Sequence, residues 1–294
     1  MRRLFNRQQR LALYKLFALL SLVRWYNILV VLTAQYLASI FILNPDKYWL
    51  HVLMDLELHL TVFSTGFIIA SGFIINAFYD AERDIINKPK EAMLYRLVSQ
   101  QTSLNFYFLF NTIGMVMSFY VSKRVMLFNF LFSIGLWFYS HKLKKMGFFG
   151  NLSGVLLTIA PFLVIILYYD NINYAIFFYV SFIALVELIR EIIKDVVAEK
   201  GDVIYGYRSV PVDFGLKKTK RLLYTLLVLT PLPPVLLYYT YDINNVIYYF
   251  ILSGLLFMYA IFLIYRADKK EAFIKINNLF KLIIGLGILS IALV

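Results

Sequence analysis

The 294-residue chain has no cysteine, so disulfides, thiolate metal sites and cysteine nucleophiles are excluded. Histidine is nearly as scarce. His51, His59 and His141 are the whole supply, too few for a histidine-rich metal centre. Only 16% of residues are charged, and acidic residues number 17 against 29 lysines and arginines. What is abundant is apolar: 61% of residues are hydrophobic and the mean hydropathy is +0.73. A soluble domain is usually about 45–50% apolar, and a water-soluble core cannot absorb the surplus. Lipid must therefore solvate much of the surface.

The net charge of +12 would point to nucleic acid in a soluble protein. Here the cations sit in short loops between apolar runs, which reads as orientation in a membrane. Attraction of anionic substrates or lipid headgroups is a compatible second role, and no nucleic-acid partner is expected. Residues 1–10 are basic and a long apolar run follows without a small-residue cleavage site, so the first run reads as a retained helix.

Apolar runs long enough to cross the hydrocarbon lie near 17–43, 58–80, 102–121, 124–140, 151–169, 173–190, 221–241, 246–265 and 279–294. The expected fold is an all-α integral membrane bundle of about nine transmembrane helices, one domain over 1–294. Ser122-Lys123-Arg124 is a tight turn between the third and fourth spans, and Pro231, Pro233 and Pro234 should kink the seventh. With the N-terminus cytoplasmic, the inner segments hold 25 lysines and arginines and the outer loops only Lys47, Lys123 and Arg124, with Arg24 inside the first span. That asymmetry places a multi-pass protein in the cell membrane with its N-terminus inside.

Two acidic rows stand out. Asn76, Asp80 and Asp84 are spaced i, i+4, i+8 at the end of the second span, and Glu191, Asp195 and Glu199 repeat that spacing at the end of the sixth. On a helix each set drifts only about 40° per step and lines one face. Each member of the second set lies 115 positions after its counterpart, and the ends of the fourth and eighth spans are also alike (Tyr139-Ser-His-Lys142 and Tyr265-Arg-Ala-Asp-Lys269). A four-helix unit used twice would account for this. Oxygen ligands without histidine or cysteine suit a hard cation, most simply Mg²⁺, which favours one or two carboxylates plus substrate phosphates. The plain alternative is the wet boundary of a membrane span, but two rows of identical spacing at equivalent helix ends favour a site.

These residues resemble the UbiA superfamily of intramembrane prenyltransferases. The first row matches that family's Asn-x-x-x-Asp-x-x-x-Asp pattern, Asn87-Lys88-Pro89 follows it, and Arg24 with Asn27 is similar to an Arg-x-x-Asn in its first helix. Tyr139-Ser140-His141-Lys142-Leu143-Lys144 and Gly150-Asn151-Leu152 look like the stretch after its fourth helix. Arg190-Glu191-Ile-Ile-Lys194-Asp195 with Gly201-Asp202 is similar to the geranylgeranylglycerol-phosphate geranylgeranyltransferase branch, but Val197 and Ala198 stand where that branch has acids. The resemblance implies Mg²⁺-dependent transfer of a polyprenyl group, geranylgeranyl in this branch, from its diphosphate to a lipophilic acceptor, a prenylated glycerol phosphate.

On that resemblance Asp80, Asp84, Asp195 and Asp202 hold the metal, with Asn76, Glu191 and Glu199 as assisting ligands. Lys142, Lys144, Lys194, Arg208 and Arg24 are candidate partners of the diphosphate, and Tyr139 is a candidate to face an allylic cation, the plain alternative being an interfacial tyrosine. His141 is a candidate base; His51 and His59 fall on the opposite side. Three alternatives stay open: an aromatic acceptor as in quinone biosynthesis, a transporter, and a degenerate partner-binding scaffold.

Overall fold

The computed structural model describes residues 7–171, 174–240 and 245–293. Residues 1–6 of the basic N-terminus, and positions 173, 241 and 294 at the ends of predicted spans, lie outside the described residues. In chain order the helices are α1 (Arg7–Leu22), α2 (Trp25–Leu37), α3 (Trp49–Leu53), α4 (Leu56–Asn87), α5 (Pro89–Tyr95), α6 (Gln100–Val121) and α7 (Lys123–His141). They continue with α8 (Phe148–Tyr169), α9 (Tyr174–Ile204), α10 (Val210–Leu229), α11 (Leu232–Thr240), α12 (Val246–Arg266) and α13 (Lys270–Ser290). The one β feature among the described residues is an isolated parallel bridge between Met146 and Arg208.

Among the described residues, seven segments are long and apolar enough to cross a membrane: Trp25–Ile42, Leu56–Asn87, Gln100–Val121, Phe148–Tyr169, Val210–Thr240, Val246–Arg266 and Lys270–Leu293. The all-α multi-pass architecture is as expected; seven of the nine expected spans meet these criteria. The runs near 124–140 and 173–190 do form α7 and α9. Lys123 and Arg124 open α7, and Glu187, Arg190 and Glu191 interrupt the apolar part of α9, which dilutes both.

Three boundaries differ in an instructive way. The first span is not one helix over 17–43. The chain breaks at Arg24, which adopts a left-handed φ of 50°, so the arginine sits in a joint before α2 instead of inside a membrane helix. Such a conformation costs about 1–2 kcal/mol for a residue with a Cβ, and the Arg24 guanidinium lies over the Phe73 ring at 5.2 Å. The last span begins at Lys270, not 279, and so carries Lys275 and Lys281 on a helix otherwise mostly apolar. The proline-rich stretch does break the seventh span: α10 ends at Leu229 and α11 starts at Leu232, because Pro231 cannot donate into the preceding turn. Beside that break an apolar cavity of about 310 Å³ is lined by Phe182, Pro234, Phe250 and Phe257 among others; neither acidic row reaches it.

α4 and α9 are the two longest helices, of 32 and 31 residues, and both are central. α4 packs against α2, α6, α7, α8 and α9, while α9 also meets α10, α11 and α13. Between α4, α6 and α7 the buried Asn129 amide donates to Ser64 Oγ at 3.2 Å and Ser118 Oγ at 2.7 Å, which satisfies polar groups that lipid could not. At the end of the bundle away from the acidic rows, Asp55 caps α4 by accepting from the Glu57 and Leu58 amides at 3.1 and 3.4 Å. The Tyr168 hydroxyl donates to the same carboxylate. Tyr168→Phe is expected to lower stability by about 1.5 kcal/mol, the net worth of a hydrogen bond to a charged group, read as a shifted unfolding midpoint in mixed micelles with turnover unchanged.

Candidate active site

The ends of α4 and α9 meet. Helical spacing carries each acidic row to the last turns of its helix, and Gly201 lets the two helices touch. A Cβ at that position would lie 2.5 Å from the Asn87 side chain, whose oxygen accepts the Gly201 amide at 3.2 Å. One turn away, Arg83 bridges the rows, with Nη1 3.5 Å from Asp80 Oδ1 and Nε 3.0 Å from Asp202 Oδ1. The first row thus reaches the helix that carries the second through Asp202, three residues past Glu199.

The segment between α7 and α8 folds over it. Gly147, at φ 62°, allows the turn that starts α8. Its amide donates to Arg208 O at 2.9 Å, and the Arg208 amide donates to Lys145 O at 3.2 Å. These two bonds staple the loop after α7 to the loop after α9. They hold Lys144 inward, where Nζ lies 2.9 Å from Asp80 Oδ1 and donates to Asn76 Oδ1 at 3.1 Å. Asn76 in turn donates to Asp80 Oδ2 at 3.1 Å, and the Tyr207 hydroxyl donates to Asp80 Oδ1 at 3.4 Å. Burial pulls the Lys144 ammonium below the usual lysine range although Asp80 opposes it, and burial pushes the Tyr207 phenol up to about 12.

The second row continues along α9. Asp195 Oδ2 accepts from Asn151 Nδ2 of α8 at 2.8 Å. Lys194 Nζ lies 2.6 Å from Glu191 Oε1, and Arg190 forks onto Glu187. Asp84 has Lys88 at 3.9 Å. Tyr139 of α7 packs on α8: a Cβ at Gly154 would sit 3.1 Å from its hydroxyl oxygen. Its ring is within electrostatic reach of Glu191, Asp195 and Asp80.

The structure therefore brings together Asn76, Asp80, Asp84, Tyr139, Lys144, Glu191, Lys194, Asp195 and Asp202. It separates three others. Lys142 is exposed at the end of α7. The exposed Arg208 side chain lies 3.3 Å from Asp213, so it is the Arg208 backbone that serves the site. Glu199 makes no hydrogen bond or ion pair among the described residues and acts on Asp202 only through space. His141 is exposed and stacked on Trp137 at 5.5 Å, with its edge on Tyr79. Arg83, Asn87, Asn151 and Tyr207 belong to the site although none was a candidate site residue. Asn87, Asn151 and Arg83 lie in stretches that carry the family resemblance, whereas Tyr207 has no sequence signal that distinguishes it.

Among the described residues, no three carboxylates or imidazoles are gathered as a ready metal cage. The reason is visible in the pairs above, since lysines and arginines neutralise the acids. The donor set nevertheless fits a hard cation. It is made of carboxylate and amide oxygens, and one of them, Asn151 Oδ1, is buried without a hydrogen-bond partner.

The profile of the UbiA prenyltransferase family matches residues 31–284. A digeranylgeranylglyceryl phosphate synthase of Methanosphaera stadtmanae is 29% identical over 226 residues, covering 76% of this chain and 82% of its own. One of Methanocaldococcus jannaschii is 28% identical over 283 residues, covering 94% and 95%. A solved structure from work on digeranylgeranylglyceryl phosphate synthase in membranes superposes with a TM-score of 0.67 at 25% identity, covering 95% of this chain and 97% of that one. A UbiA homolog from Archaeoglobus fulgidus bound to GPP and Mg²⁺ superposes with a TM-score of 0.65 at 17% identity, over 94% and 99%.

Proposed function

The chain belongs to the UbiA prenyltransferase family, and from that premise we propose that it transfers a geranylgeranyl group from its diphosphate to a prenylated glycerol phosphate. The observation that carries the reading is the junction of two acidic rows through Arg83, with Lys144 folded in between. The glycerol-phosphate acceptor rests on the relatives' activity and on the Arg190–Asp195 motif.

Asp80, Asp84, Asp195 and Asp202, with Asn76, are the residues that would hold Mg²⁺. Bound there, the metal supplies charge neutralisation for the departing diphosphate. The chain's own cations do the rest of the work on that group. Lys144 and Arg83 now neutralise Asp80, and the same donors can turn to phosphate oxygens that enter beside it. The prenyl C1–O bond breaks, the acceptor hydroxyl oxygen bonds to C1, and its proton leaves with the diphosphate. Tyr139 offers a ring face to the transient allylic cation. The staple between the loops after α7 and α9 holds Lys144 in place while this happens. The site faces the cytoplasm in this reading, with residues 1–294 acting as one unit.

Purified protein in lipid with Mg²⁺ and radiolabelled geranylgeranyl diphosphate tests the reading. Label is expected in the glycerol lipid when geranylgeranylglyceryl phosphate and hydroxybenzoate are offered in parallel. Label in the aromatic product alone would keep the family and overturn the acceptor. Ala198 bears on the same site. On α9 it shares a face with Glu191, Asp195 and Asp202, being three and four residues from the last two. Ala198→Asp is therefore expected to leave turnover within about threefold of the parent, because the position is already next to carboxylates that take a cation. A collapse of turnover would mean that the row has been rebuilt around the small side chain.

A further inference from the structure

A second group of cations lies beyond Asp84, away from Lys144. Lys281 is the twelfth residue of α13, so it stands about 16 Å along that helix at 1.5 Å per residue. α13 packs on α9 and α2, and this sets Lys281 within the fields of Arg190, Lys194, Glu91 and Arg24. Lys88 is in the same neighbourhood, facing Arg24, Asp84, Glu91 and Lys194. Most of these charges are already matched: Arg190 by Glu187, Lys194 by Glu191, Lys88 by Asp84. Two are not. Arg24 lies on the Phe73 ring at 5.2 Å, and neither Arg24 nor Lys281 has an ion pair among the described residues.

Two unmatched cations brought together at the edge of apolar helices repel each other and are left without a counter-charge there. A dianion removes both costs. One turn before Lys281 the Asn277 side-chain oxygen is buried without a partner, and rotation of that amide turns its NH₂ toward the same anion. The position favours an anion that arrives on a lipid, since α2 and α13 are both membrane spans. It is also distinct from the Asp80–Lys144 group, where the donor diphosphate is placed above. Resting on the glycerol-phosphate reading, we propose that Arg24 and Lys281, backed by Lys194, form the binding site for the phosphomonoester headgroup of the lipid acceptor. The two phosphate groups of the reaction then lie on separate flanks of the α4 carboxylate row, with the acceptor hydroxyl directed between them.

Steady-state kinetics of Lys281→Gln and Lys281→Arg in lipid nanodiscs test this. Lys281→Gln is expected to raise KM for geranylgeranylglyceryl phosphate by about tenfold or more, the loss of one charge-assisted hydrogen bond, while KM for geranylgeranyl diphosphate stays put. Lys281→Arg should restore the acceptor KM. Geranylgeranylglycerol, which lacks the phosphate, should compete poorly with the parent and equally well with the acceptor in Lys281→Gln. An unchanged acceptor KM, an equal rise in the donor KM, or phosphatidic acid competing as well as the acceptor would each overturn the assignment. A parent protein that labels only an aromatic acceptor would overturn the reading beneath it, and that outcome is seen before any variant is made.

Discussion

Asp80→Asn is expected to lower turnover by at least about a hundredfold with the helical fold retained, the scale on which a preorganised electrostatic partner acts. The substitution keeps the shape of the side chain and removes its charge. Asp80 is the centre on which Lys144, Arg83, Asn76 and Tyr207 converge, at 2.9, 3.5, 3.1 and 3.4 Å. It is 7% exposed, so water replaces little of what is lost. The consequence for Lys144 follows in sign. Burial already lowers its pKa and Asp80 raises it, so removing the carboxylate lets the amine shed its proton at a lower pH. Binding of the donor diphosphate should then weaken most steeply on the alkaline side. Donor affinity and turnover measured against pH read both effects, and full activity in Asp80→Asn would mean that the site lies elsewhere.

The second large effect comes from a residue with no chemistry. Gly201→Val is expected to reduce turnover by about a hundredfold, since misplacing reacting groups by about 1 Å costs that much. The Cβ alone would meet three atoms of Asn87 at 2.5 to 2.7 Å, and valine adds two methyls. The ends of α4 and α9 would be forced apart, taking Asp202 from Arg83 and the second acidic row from the first. Asn87→Ala removes the obstacle on the opposite side, so the double variant should recover much of the activity that Gly201→Val loses. The non-additivity of that pair is the reading. Additive losses would show that Gly201 acts through something other than the contact with Asn87.

The membrane class, the helices and the two acidic rows are written locally. Apolar runs near 20 residues allow little else in a chain this hydrophobic, and i, i+4, i+8 spacing depends only on the helical repeat. Residues 76–84 and 191–199 could therefore be set on two helix faces without knowledge of their neighbours. The break at Arg24 was not legible, because no glycine or proline marks it; the Arg24 side chain rests on the Phe73 ring, far away in sequence. The extended start of α13 was hidden for a related reason. Lys275 interrupts the apolar run before 279 and hides the first turns of α13, while Lys281 gains Glu91 as an acidic neighbour only through the tertiary fold.

The sequence by itself determined that this is an all-helical membrane protein whose acids come in two matched rows, and the family pattern in those rows. It could not determine which cations answer those acids. Lys142 and Lys144 are two residues apart, yet only Lys144 reaches Asp80, because backbone bonds from Gly147 and Arg208 turn the loop inward. Arg208 was drawn in by its charge but contributes its main chain, while Arg83 and Tyr207 complete the site. Periodicity fixes direction along one helix; the meeting of side chains from different helices depends on how closely those helices approach. Here that approach is decided by the packing of Asn87 on Gly201, a contact between residues 114 positions apart.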